Sequence, residues 1–154
     1  MFALSRSSIT LAAVLAGSSF VAGCGSGSNV VEATVPASDT QRRLNSIGDA
    51  YQRASMRLNR APKSVQDIAQ GLKEQGLKLD ETLKSADDGL PFEIVWGTDL
   101  RAIKGSGSDI PIVAFERQGK EGKRHVLRGR SEILLMTESE IRSGKFPDGY
   151  KPPF

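Results

Sequence analysis

Cys24 is the only cysteine in the 154-residue chain, so no internal disulfide can staple the fold and no cysteine-ligated metal can organise it. Whatever folds must stand on a hydrophobic core. The aliphatic content suffices for one core, and the length beyond the N-terminal region suits one domain.

The surroundings of that cysteine are equally constraining. Arg6 supplies an early positive charge, residues 9–16 form an almost uninterrupted apolar run, and small residues precede the thiol in Val21-Ala22-Gly23-Cys24, which together read as an export signal over residues 1–23. The four residues resemble the lipobox of lipoprotein signal peptidase. The resemblance implies that the Cys24 thiol is diacylated and that cleavage makes Cys24 the first mature residue. The competing readings are an ordinary signal peptide ending at Cys24 or a buried thiol. The apolar run is too short for a spanning helix. Acyl chains contribute about 0.8 kcal/mol per buried methylene, enough for two or three to hold a domain at a membrane. The expected location is therefore the cell envelope, lipid-anchored and facing the periplasm or exterior. Gly25, where aspartate would resemble an inner-membrane retention signal, favours onward transport to an outer membrane.

Residues 24–39 read as a tether, rich in glycine and serine at Gly25-Ser26-Gly27-Ser28-Asn29 and broken by Pro36. Cleavage before Cys24 removes only Arg6 from the 21 basic residues and none of the 18 acidic ones, leaving a formal charge of +2. Charges of both signs are mixed along the chain, and export separates it from cytoplasmic DNA, so no nucleic-acid partner is expected.

From residue 40 the pattern changes. Leu44, Ile47, Tyr51, Ala54 and Leu58 recur at helical spacing with arginines largely off the stripe, predicting an amphipathic helix over residues 40–59. The stripe reads as a core face laid on a sheet or as a partner-helix surface. Pro62 ends the helix, and Ser64 with Asp67 predicts a capping box opening a second helix that carries Val65, Ile68, Ala69 and Leu72 and ends near Gly76. Strands follow: Phe92, Ile94 and Trp96 alternate, residues 110–116 form a denser apolar run, and residues 117–123 make a hairpin turn into residues 124–128. Residues 132–136 add a further strand. Thr137 with Glu140 predicts a capping box on a short last helix, before Pro147, Pro152 and Pro153 impose an extended tail over residues 147–154. Helices first and an antiparallel sheet afterwards give an α+β fold, with the domain spanning residues 40–146.

Asp88-Gly89-Leu90-Pro91-Phe92, entering the first strand behind an amphipathic helix, resembles the segment that leads into the sheet of type II secretion pseudopilins. The resemblance covers residues 44–136 and implies a helix laid across a small antiparallel sheet. A prepilin cleavage site and its long apolar helix are missing, and the lipobox occupies their place. The chain is also similar to small uncharacterised bacterial lipoproteins with the same Asp-Gly-x-Pro-aromatic turn, Trp-Gly strand end and proline-rich terminus.

Few residues suggest chemistry. His125, the one histidine, lies among cations in Lys123-Arg124-His125-Val126-Leu127-Arg128 and reads as a strand-surface residue or a general base, with no nucleophile motif or second histidine beside it. Asp87 and Asp88 read as paired carboxylates, part of a calcium shell, or simply an Asp-Gly turn. Gly105-Ser106-Gly107-Ser108 lacks the ending of a phosphate-binding loop and reads as a linker. Lys120, Lys123, Arg124, Arg128 and Arg130 form a basic cluster, either a solvated strand edge or a docking site for anionic lipid, glycan or an envelope protein. No catalytic residue, metal or cofactor is assigned. The expected function is a lipid-anchored, non-enzymatic interaction or structural module. The alternatives are a pseudopilin-related accessory of a secretion or envelope assembly, or a hydrolase with a site near Asp87, Asp88 and His125.

Overall fold

The computed structural model describes residues 36–103 and 107–154. Cys24, the signal, most of the tether and part of the glycine–serine loop lie outside the described residues. The fold is α+β: helices α1 (Asp39–Leu58), α2 (Val65–Glu74) and α3 (Leu79–Thr82), strands β1 (Glu93–Ile94), β2 (Ile112–Phe115), β3 (Lys123–Arg128) and β4 (Glu132–Thr137), then α4 (Glu138–Arg142).

Helix α1 begins earlier than its apolar stripe suggests because Ser38 caps it. The Ser38 hydroxyl accepts the Gln41 N–H at 3.2 Å while the Gln41 side chain accepts the Ser38 N–H at 2.9 Å, a reciprocal box typically worth about 1 kcal/mol. The first helix of the domain is therefore capped at Ser38. The box expected at Ser64 does not form. Asp67 instead accepts the Lys63 N–H at 2.8 Å and pairs with Arg60 at 3.0 Å, tying the start of α2 back to the turn after α1.

The four strands pair antiparallel in chain order β1-β2-β3-β4. On one face Leu44, Ile47, Tyr51, Ile68 and Leu72 of α1 and α2 pack against Phe92, Ile94, Val113 and Leu127, so the α1 stripe is a core face. Two small residues set how closely α1 is held: a Cβ on Gly71 would lie 3.0 Å from Ala50 Cα, and one on Gly48 would lie 2.6 Å from the Arg130 carbonyl. The opposite face is covered as well. Val95, Ile112, Phe115 and Val126 bury against Ile141 and the C-terminal aromatics Phe146, Tyr150 and Phe154. Burial on both faces explains why every residue of β2 is apolar. Residues 147–154 thus do more than trail away from the last helix: Phe154 meets Phe115 edge-on at 5.6 Å.

Candidate functional site

At the end of the sheet nearest the N-terminus of α1, four segments converge on a polar cluster. Glu116, directly after β2, is 1% exposed. Its Oε1 accepts the Ser85 hydroxyl at 2.5 Å. Its Oε2 accepts the His125 backbone N–H at 2.7 Å and lies 3.0 Å from His125 Nδ1. Asp87 Oδ2 approaches the same nitrogen at 3.5 Å, while Asp87 Oδ1 accepts Lys120 Nζ at 3.1 Å. Thr40, in the first turn of α1, closes the cluster through Ser85 Oγ at 3.4 Å and the Ala86 N–H at 3.2 Å. Each partner satisfies a group that burial would otherwise penalise by a few kcal/mol.

Electrostatics follow from these partners. Burial is the largest influence on Asp87 and opposes its ionisation, but hydrogen bonds from Lys120 and Thr40 and the nearby Lys120 charge together hold the carboxyl below the usual carboxylate range. Asp88 faces the same burial opposition and is also held low, by the Gly119, Leu90 and Gln118 backbone N–H groups. The two neighbouring aspartates therefore part company. Asp88 accepts Leu90 N–H at 2.9 Å, Gly119 N–H at 3.0 Å and Gln118 N–H at 3.2 Å, locking the Asp-Gly turn to the β2–β3 hairpin. Only Asp87 turns towards His125. With Nδ1 facing Glu116, Nε2 is the ring nitrogen left for chemistry, and among the described residues it makes no hydrogen bond. Ser85 spends its proton on Glu116, so it is not aligned as a nucleophile for that base.

A cleft lined by Ser38, Asp87, Lys120, Glu121, Lys123, His125 and Leu135 opens over the cluster. Its rim reaches β4, where Leu135 is 57% and Leu134 36% exposed.

The basic residues do not form one patch. Strand alternation sends Lys123 and His125 to one face and Arg124 and Arg128 to the other. Arg124 is largely buried, with its guanidinium 4.1 Å from the Phe154 ring centre and paired with Glu138 at 3.3 Å. Its Nη1 is the only buried side-chain polar atom without a hydrogen-bond partner among the described residues, a position compensated by the ring face. Arg128 binds the carbonyls of Gly107 and Ile110 and approaches Glu132 at 3.7 Å. Lys120 is paired with Asp87. Lys123 and Arg130 are exposed and have no ion pair among the described residues. Glu116 escaped the sequence reading because a charge ending an apolar strand says nothing of which residues the register brings to it. Comparison with protein-family models, curated proteins and solved structures finds no match.

Proposed function

We propose that the chain is a lipid-anchored, non-enzymatic envelope protein whose domain docks an extended segment of a partner protein by adding a strand to β4. The anchor rests on Val21-Ala22-Gly23-Cys24 and the apolar run behind it. Among the described residues no helix is long and apolar enough to cross a membrane.

The observation that carries the docking reading is the outer edge of β4. Its partner β3 pairs with every residue from Glu132 to Thr137 on one side, and no backbone bond reaches residues 133–136 from the other side among the described residues. Ile133, Leu134, Leu135 and Met136 carry no charge and no proline, the usual devices that blunt an edge. An added strand gains main-chain hydrogen bonds along such an edge. The free cations bracket it: Lys123 lies opposite Thr137, and Arg130 sits in the β3–β4 turn. The segment that fits is extended, apolar in its middle and acidic at its ends. A pseudopilin-related accessory role would use the same edge. The hydrolase reading has Asp87 and His125 together, but Asp88 is committed to its turn, and among the described residues no side chain hydrogen-bonds His125 Nε2 as an activated nucleophile would.

The test is site-specific photo-crosslinking in native envelopes, with the photoreactive residue at Leu135 or, as control, at the exposed Met56 of α1. A discrete protein adduct from position 135 that weakens with Lys123→Glu supports the reading. Equal adducts from both positions, or none from 135, reject it. Fatty-acid labelling addresses the anchor, which Cys24→Ser should abolish.

A further inference from the structure

We propose that Asp87, Glu116 and His125 form a binding site for a divalent transition-metal cation of the zinc class. One ligand atom from each of the three side chains falls within 4.8 Å of the others. Around a tetrahedral zinc with bonds of about 2.0–2.1 Å, neighbouring ligand atoms stand roughly 3.3 Å apart. The separations from His125 Nδ1, 3.0 Å to Glu116 Oε2 and 3.5 Å to Asp87 Oδ2, bracket that value. The full set lies within 4.8 Å, and closing it on one centre falls to Asp87, the less buried of the two carboxylates.

In the metal-free arrangement His125 Nδ1 can bond only one of the two carboxylates that face it. Nδ1 carries at most one proton, and Glu116 Oε2 at 3.0 Å is its nearer acceptor. Asp87 Oδ2 is left facing the same nitrogen at 3.5 Å, on the limit of hydrogen-bonding distance. A cation replacing the proton bonds both carboxylates and the ring together, with two negative charges against its two positive ones.

The supporting partners are those of a metal centre. Ser85 and the His125 backbone N–H fix Glu116, and Lys120 fixes Asp87 through the oxygen that points away from His125. Such outer contacts orient ligating oxygens and tune affinity. One nitrogen and two oxygens suit zinc, cobalt or manganese, whereas calcium asks for six to eight oxygens. The cleft above supplies an entry path, and it leaves the remaining position to water or to a group from outside. Lys120 and Lys123 on the rim oppose a cation, and Glu121 beside them offsets one of the two charges.

The experiment is titration of the purified full chain with Zn2+ alone, followed by calorimetry and thermal unfolding, and with Co2+ alone, followed by its visible absorption. Saturable 1:1 binding with a raised Tm is expected. His125→Ala should abolish it, and Ser85→Ala should weaken it about 10–100-fold as an outer-contact change. Glu116→Gln risks the fold, so Asp87→Asn, at a partly exposed position, is the second decisive variant: it should remove most of the affinity while the metal-free Tm stays close to wild type. Absence of saturable binding overturns the proposal. So does binding that survives both His125→Ala and Asp87→Asn, or that disappears in Cys24→Ser.

Discussion

The two edges of the sheet are treated in opposite ways. β1 is two residues long and the chain's own backbone is tied down on either side of it: Phe92 N–H donates to the Leu83 carbonyl at 2.9 Å and Ser85 N–H to Leu90 at 2.9 Å before the strand, and Gly97 N–H to Pro62 at 2.9 Å after it. Tyr51, fully buried, bolts that edge to α1. Its hydroxyl donates to the Val95 carbonyl at 3.2 Å and accepts the Thr98 N–H at 3.0 Å, and its ring stacks on Trp96 at 6.2 Å. Burial raises the Tyr51 hydroxyl to about 12, keeping it a neutral donor over the physiological range. β4 is three times as long and has nothing comparable among the described residues. The docking proposal rests on this contrast: an apolar edge open among the described residues, opposite one that is two residues long and tied down at both ends.

The sharpest way to break this contrast is at the covered edge. Tyr51→Ala removes a buried ring and leaves Thr98 N–H without its acceptor, so denaturant midpoints should report a loss of about 3–5 kcal/mol. Trp96→Ala, whose indole is only partly buried against the same cluster, should cost less, about 1.5–2.5 kcal/mol. A loss equal to that of Tyr51→Ala would place the indole deeper than the structure has it. Next in size is Asp88, which clamps the turn before β1 to the β2–β3 hairpin. Because its folded carboxyl is held below the unfolded value of about 3.9, its contribution is complete above that value and is lost as pH falls through the depressed folded one. Asp88→Asn should therefore lower stability at neutral pH and flatten the acid limb of a stability–pH profile. An unchanged profile would remove Asp88 from the clamp. The smallest effect belongs to the open edge: Leu135→Lys should move the midpoint by less than about 0.5 kcal/mol while removing any protection that the β4 amides gain in native envelopes.

The helices and strands were legible where one periodicity dominated. Leu44, Ile47, Tyr51 and Ala54 share one buried face of α1, and the Thr137–Glu140 box forms as its spacing predicts, with Glu140 N–H donating to Thr137 at 3.3 Å. Helix α3 was not legible, because four residues hold too little pattern to show a period. The second core face was hidden for a different reason. Val95, Phe115 and Val126 find their cover in Phe146, Tyr150 and Phe154, and prolines between those aromatics read locally as a tail. The cluster was half visible: Asp87 and His125 stood out as residues, but strand register decided that Asp88 turns away and Glu116 turns in. Register also split the basic cluster. Arg124→Glu would set a carboxylate beside Glu138 and under Phe154, so charge reversal tests docking cleanly only at Lys123 and Arg130.

Hydrogen exchange resolved along β1 and β4, compared between the detergent-purified full chain and native envelopes, tests the contrast most directly. The outward amides of β4 should exchange freely in the purified chain and become protected in envelopes, while β1 is equally protected in both. β4 amides that exchange alike in the two preparations would contradict the assignment of this edge to a partner.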